Sequence, residues 1–311
     1  MNSVENKYWL GIFYAALAGF MWAILAIAMK VAVQFMDGLT ISWFRFAFSF
    51  CSLFLYLKFN NPDVLNILKR PPLKASLASL FLLGNYVFYI QGVKLTTPSL
   101  VQVMIQLAPL TLVMIGVLIF KEELKKRQIL GMLLSGLGFF LFYSDQFLTI
   151  LNTTHGPEFK LGAGLVIIAA ISWAIYGALQ KVLLKKFSTN HINLILFGTP
   201  SLFLLPWVQF SSFVTLVWWQ WLLVLFLGLN TIIAYGAVSE AFKILPTSKV
   251  SMIITLNPII TILLMTILYS LEVTWIHAEK INSKGYLGAL FVVLGALIVL
   301  YRPDLKRKSN P

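Results

Sequence analysis

The chain has 311 residues, 59% of them hydrophobic and 11% charged, and a mean hydropathy of +0.86. Soluble domains carry about 45–50% apolar and about 25% charged residues, so this composition cannot cover a water-facing surface. It excludes an ordinary soluble enzyme, a disordered protein and a secreted disulfide scaffold, the last also because Cys51 is the only cysteine. The net charge of +13 leaves two readings, a nucleic-acid binder or a membrane protein with basic loops on one side.

A bilayer core of about 30 Å takes roughly 20 apolar residues per helix. Ten windows qualify: 9–29, 39–57, 73–93, 98–120, 128–144, 161–184, 191–210, 218–239, 248–270 and 284–301. The first is longer than the apolar core of a signal peptide and nine more follow, so it reads as a retained helix. The second holds Arg45, the one basic residue well inside a span. The fourth places Ser99, Gln102, Gln106 and Pro109 at steps that share one helical face. The eighth opens on Trp218, Trp219 and Trp221, a pattern suited to the membrane interface. The ninth repeats the polar stripe with Ser248, Ser251, Thr255 and Pro258. The connections are short, and no segment remains for a soluble domain.

With both termini inside, eighteen Lys and Arg residues fall on inner connections and tails and five on outer ones. The bias of basic residues toward cytoplasmic loops therefore predicts cytoplasmic N- and C-termini. It also accounts for the basic charge, so no nucleic-acid partner is expected.

The chain repeats itself. Trp22-Ala23-Ile24 matches Trp173-Ala174-Ile175 at an offset of 151, and Tyr86, Lys94, Ser99 and Leu107-x-Pro109 match Tyr235, Lys243, Ser248 and Leu256-x-Pro258 at 149. At that offset Glu123 falls on Glu272, and further on Gly131 and Gly138 match Gly288 and Gly295. The units are 9–145 and 161–302, five spans each. An odd number of spans makes the second unit enter the bilayer from the opposite side. Such an inverted repeat underlies alternating access in secondary transporters. The predicted fold is therefore all-α and integral to the membrane, with ten transmembrane helices in two inverted five-helix repeats.

Taken in this order and repeated, the paired Trp, Lys, Leu-x-Pro, Glu and Gly positions resemble the EamA-type branch of the drug/metabolite transporter superfamily, over about 11–143 and 162–301. The resemblance implies export or exchange of a small metabolite, such as an amino acid or a derivative, through a cavity between the halves. It also implies a bacterial-type inner membrane.

Polar groups in lipid are expensive and turn inward, so the two stripes are expected to face that cavity. Gln102, Gln106, Ser251 and Thr255 would meet substrate there, against the alternative that they serve as glue between helices. Trp22 and Trp173 lie mid-span, where no interfacial belt explains them, and with Tyr86, Tyr176 and Tyr235 they could wall the cavity. Arg45 has no partner in the second unit, since Ile195 lies 150 residues on. It would hold a substrate carboxylate, or else snorkel or pair with protein carbonyls. Pro109 and Pro258 would kink their helices as hinges or as inert bends. Glu123 and Glu272 would tie helix ends to loops, with proton coupling as the rival role. The glycines of the last span in each half either pack within the bundle or serve a homodimer. His155, His191 and His277 lack metal-ligand spacing and no phosphate-binding loop occurs. No catalytic residue, metal or cofactor is expected; the partners are a small-molecule substrate and the lipid bilayer. A receptor or scaffold, or a lipid-modifying enzyme, are the alternatives to transport.

Overall fold

A computed structural model describes residues 3–96, 101, 104–144, 148, 156–273 and 283–301. Its elements are helices, as a bilayer demands, because a helix satisfies every backbone group within itself. They are α1 (Ser3–Ala32), α2 (Gly38–Asn60), α3 (Leu73–Leu95), α4 (Leu107–Leu118), α5 (Lys126–Phe142), α6 (Pro157–Leu183), α7 (Thr189–Leu204), α8 (Trp218–Ile244), α9 (Thr247–Ile254), α10 (Asn257–Ser270) and α11 (Ser283–Leu300). Short 3₁₀ turns follow α2 and α7, and one helical turn over Ser211–Val214 precedes α8. Local chemistry sets several starts. The Asp37 carboxylate accepts from the Leu39 and Thr40 amides at 3.0 Å to cap α2, Ser188 caps α7 and Pro157 opens α6.

Among the described residues, seven helical segments are long and apolar enough to cross a membrane, the run Thr247–Ser270 counted as one. Three of the ten predicted spans are shorter: α4 has 12 residues, α5 17 and α7 16. The fourth and ninth predicted spans are each interrupted. The helix breaks at Ile105–Gln106 before α4 and at Thr255–Leu256 between α9 and α10. Pro109 and Pro258 lie just past those breaks, in the first turn of α4 and of α10, where a missing N–H costs little.

Polarity is inverted relative to a soluble protein. Large apolar side chains such as Phe13, Leu110, Leu130 and Leu202 point outward, while Thr40, Arg45, Ser49, Gln180, Asn193, Asn230 and Thr231 are buried. Inside, Gln180 Nε2 donates to Ser239 Oγ at 2.7 Å, and Ser239 reaches Asn193 Oδ1 at 3.1 Å, tying α6, α7 and α8 together.

The helices of one half pack mainly on those of the other. α3 lies on α6 and α1 on α8; α4 lies on α6, and α1 on α9 and α10; α2 meets α7, and α5 meets α11. Matched in order, these pairings are reciprocal. The seam between α5 and α11 is made by glycines. A Cβ on Gly138 would lie 2.6 Å from the Gly288 carbonyl, and one on Gly131 would lie 2.6 Å from the Gly295 carbonyl. Ser135 Oγ donates to Val292 O across the same seam. These four glycines are thus spent on contact within the chain, whereas Gly136 is exposed with nothing near its Cβ direction.

Candidate functional site

A cavity of about 350 Å³ lies between the halves. It is reached by the second half of α1 (Trp22, Leu25, Ala26, Met29), the first turns of α2 (Ser42, Arg45) and the second half of α3 (Asn85, Tyr86, Tyr89, Ile90). The breaks in the central helices complete it with Ile105, Gln106 and Pro109 on one side and Ile254, Asn257, Pro258 and Thr261 on the other. Chain direction places this volume between the middle of the bundle and the end remote from the chain termini, called here the far end.

Of the predicted site residues, Trp22, Arg45, Tyr86, Gln106, Trp173 and Tyr235 line the cavity together, with Pro109 and Pro258 at its edge. Their rings interlock edge to face: Trp22 lies 6.0 Å from Trp173 and 5.7 Å from Tyr235. Tyr86 and Tyr235 join hydroxyls at 3.2 Å. The guanidinium of Arg45 lies 5.5 Å above the Tyr86 ring; its Nη2 donates to Tyr86 Oη at 3.1 Å and its Nε to Thr231 Oγ1 at 3.0 Å. Ile195, the position 150 residues on, is buried on α7.

Other expectations fall elsewhere. Gln102 lies outside the described residues. Tyr176 is fully buried behind the wall, 6.1 Å from the Tyr235 ring. Ser251 is fully buried too, and Thr255 donates to the Ser251 carbonyl at 2.8 Å; neither reaches the cavity. The stripe on the ninth span assumed one unbroken helix; the helix breaks at Thr255–Leu256, and among the described residues of α9 Ile254, not Ser251, lines the cavity. Beyond the break the stripe resumes with Asn257 and Thr261. Thr261 lies one helical step past Pro258, Ser42 one step before Arg45 and Tyr89 one step after Tyr86. Extending each motif by three residues would have found them.

The end carrying the termini, the near end, is stitched shut. Glu122 Oε1 accepts from the Thr247 amide at 2.7 Å and the Thr247 hydroxyl at 2.8 Å, and Oε2 from the Ser248 amide at 3.1 Å. Glu122 thereby caps α9, which has no side-chain cap of its own. Lys181 pairs with the same carboxylate at 3.2 Å and donates to the Leu245 carbonyl at 2.9 Å. Beside this latch, Lys249 donates to Tyr8 Oη at 3.0 Å and Tyr8 to the Leu300 carbonyl at 2.6 Å. Burial raises the Glu122 pKa. The Thr247 amide, the Lys181 charge, the Ser248 amide and the Thr247 hydroxyl outweigh it and hold the carboxyl below its usual range.

The contact expected of Glu123 is therefore made by its neighbour; Glu123 itself is exposed. Glu272 is exposed as well and adopts the left-handed backbone at φ 52°, as does Lys121 at φ 52°. By its backbone conformation just past the helix end, Glu272 thus corresponds to Lys121 rather than to Glu123. No sequence signal distinguished Glu122 from Glu123, two like residues in succession.

The family model for the EamA-like transporter family matches twice, over residues 9–144 and 160–301. A relative from Haemophilus influenzae called an uncharacterized transporter is 30% identical over 291 residues, spanning 93% of this chain and 94% of that protein. The uncharacterized inner membrane transporter YhbE of Escherichia coli K12 is 32% identical over 302 residues, 94% of this chain and 92% of its own. A solved crystal structure superposes with a TM-score of 0.74 over 99% of both chains at 19% identity, a likeness of fold.

Proposed function

The chain belongs to the EamA-like transporter family, and from that premise we propose a secondary transporter of ten spans that exports a small polar metabolite, such as an amino acid or derivative, by alternating access. It is an integral multi-pass membrane protein whose relatives include an inner membrane transporter. A bacterial inner membrane location with cytoplasmic termini, and the two units 9–145 and 161–302 as inverted repeats, form part of the same reading. The observation that carries it is the cavity at the two helix breaks, between halves whose packings are reciprocal. Reciprocal packing supports a second arrangement of similar energy in which the near end opens and the far end closes. With the termini inside, the arrangement described above faces outward.

Substrate contact is assigned to Trp22, Arg45, Tyr86, Gln106, Trp173 and Tyr235. Counterflow of labelled amino acids and related metabolites in liposomes tests the reading. Saturable exchange is expected, reduced at least about tenfold in Gln106→Ala and Trp173→Ala. Exchange unchanged in both variants would place the substrate elsewhere, and no exchange for any compound would remove the amino-acid assignment. A pH gradient imposed in the same assay tests proton coupling.

A further inference from the structure

The wall of the cavity carries a single fixed charge among the described residues, the guanidinium of Arg45, and no carboxylate. Arg45 is 2% exposed. Both of its hydrogen bonds go to neutral oxygens, Thr231 Oγ1 and Tyr86 Oη, and among the described residues no carboxylate lies within ion-pair distance of it. A buried cation matched only by neutral groups is left uncompensated, which is costly in a low-dielectric interior. The two acceptors occupy Nε and one Nη2 hydrogen and hold the guanidinium plane fixed. Nη1 donates no hydrogen bond among the described residues.

Two further features have the same sign. Arg45 donates to Tyr86, and Tyr86 and Tyr235 share one hydrogen bond. Whichever hydroxyl donates there, one hydroxyl hydrogen of the pair remains to be given to a ligand. In addition, α4 and α10 begin at the cavity wall, and neither has a side-chain cap. Helix N-termini carry partial positive charge, and broken membrane helices present such ends to anionic groups. Against this convergence of donors, no carboxylate among the described wall residues awaits an ammonium group. Trp22, Trp173 and Tyr235 supply flat apolar faces for the rest of a ligand, within a volume at the small end of ligand pockets.

We infer that the cavity selects a small organic anion, a carboxylate with a flat or apolar body and no free ammonium group, held through Arg45. This rests on the transporter reading and narrows its substrate class: an amino-acid derivative would enter with its amine absent or blocked.

Three compounds of one body discriminate: 3-phenylpropionate, phenylalanine and phenethylamine, joined by benzoate and 3-methylbutanoate as smaller acids. Binding to the purified full-length protein in detergent is read by quenching of tryptophan fluorescence and by the shift in melting temperature, and transport by counterflow in liposomes. At least one acid should bind about tenfold or more tightly than phenylalanine and phenethylamine. Arg45→Gln should abolish that binding. Arg45→Lys should keep the preference for the acid while weakening it about tenfold, since it keeps the charge and loses the fork. It also serves if the glutamine variant fails to fold. Equal or better binding of the zwitterion or the amine overturns the inference, as do acid binding untouched by Arg45→Gln and the absence of binding by every acid. An acid that binds but is never exchanged counts against transport and leaves the anion site standing. Exchange of phenylalanine independent of Arg45 does the reverse.

Discussion

Single residues hold the near end of the bundle together. At the near end Glu122 is one carboxylate serving three donors of α9 and one lysine of α6. Glu122→Ala should lower stability by about 0.5–2 kcal/mol, the range for a lost helix cap, measured by thermal melting in detergent. The pH dependence has a definite sign. A carboxyl held below its ordinary value stabilises the fold at neutral pH, and that contribution is lost as pH falls through the lowered folded value. The difference in melting temperature between parent and Glu122→Gln should therefore be full at neutral pH and shrink in acid. A constant difference across that range would show that the charge of Glu122 does not contribute. Part of this site was visible at the scale of residue types. Arg45, Trp22 and Trp173 stood out because charge and mid-span indole are out of place in a lipid-facing helix. Glu122 did not, because beside a bilayer one loop carboxylate looks like the next until tertiary contact selects it.

Helices were legible by length and apolarity, but their breaks were not. Pro109 and Pro258 lie just past the breaks, yet a proline near a helix start is compatible with continuation or interruption, and only packing chooses. The consequence was a face assigned one step too far: the helix breaks after Ile254, and Ser251 and Thr255 do not line the cavity. The glycine pattern left two readings, and contact between α5 and α11 accounts for Gly131, Gly138, Gly288 and Gly295 within one chain. Gly138→Ala should cost about 1–3 kcal/mol by overpacking against the Gly288 carbonyl. Gly136→Ala, with open space at its Cβ, should be neutral or slightly stabilising. Comparable loss in both variants, read by thermal melting, would show that the seam is not the tight contact described.

At the scale of the whole molecule, α1 pairs with α8 and α3 with α6, a reciprocal packing that the proposed alternating access would use as its rocking interface. Under that proposal the stitched near end and the cavity toward the far end would be one of two arrangements. Orientation can be tested with single cysteines in a Cys51→Ser background, using a membrane-impermeant thiol reagent. Thr215→Cys, in the exposed far-end connection, should label in intact cells. Arg70→Cys, exposed between α2 and α3, should label only after permeabilisation. The opposite pattern would reverse the topology and make the described arrangement inward-facing.

Composition by itself determined a membrane protein, because 59% hydrophobic and 11% charged residues cannot be hydrated, and the offsets near 150 implied two similar halves. Those signals survive without coordinates because they depend on sums and spacings along the chain. Which polar groups meet in one cavity, where the central helices break, and which of two adjacent glutamates closes the near end were decided only by tertiary structure. Each depends on contacts between residues such as Arg45 and Thr231, 186 apart in sequence, whose energies no local pattern encodes.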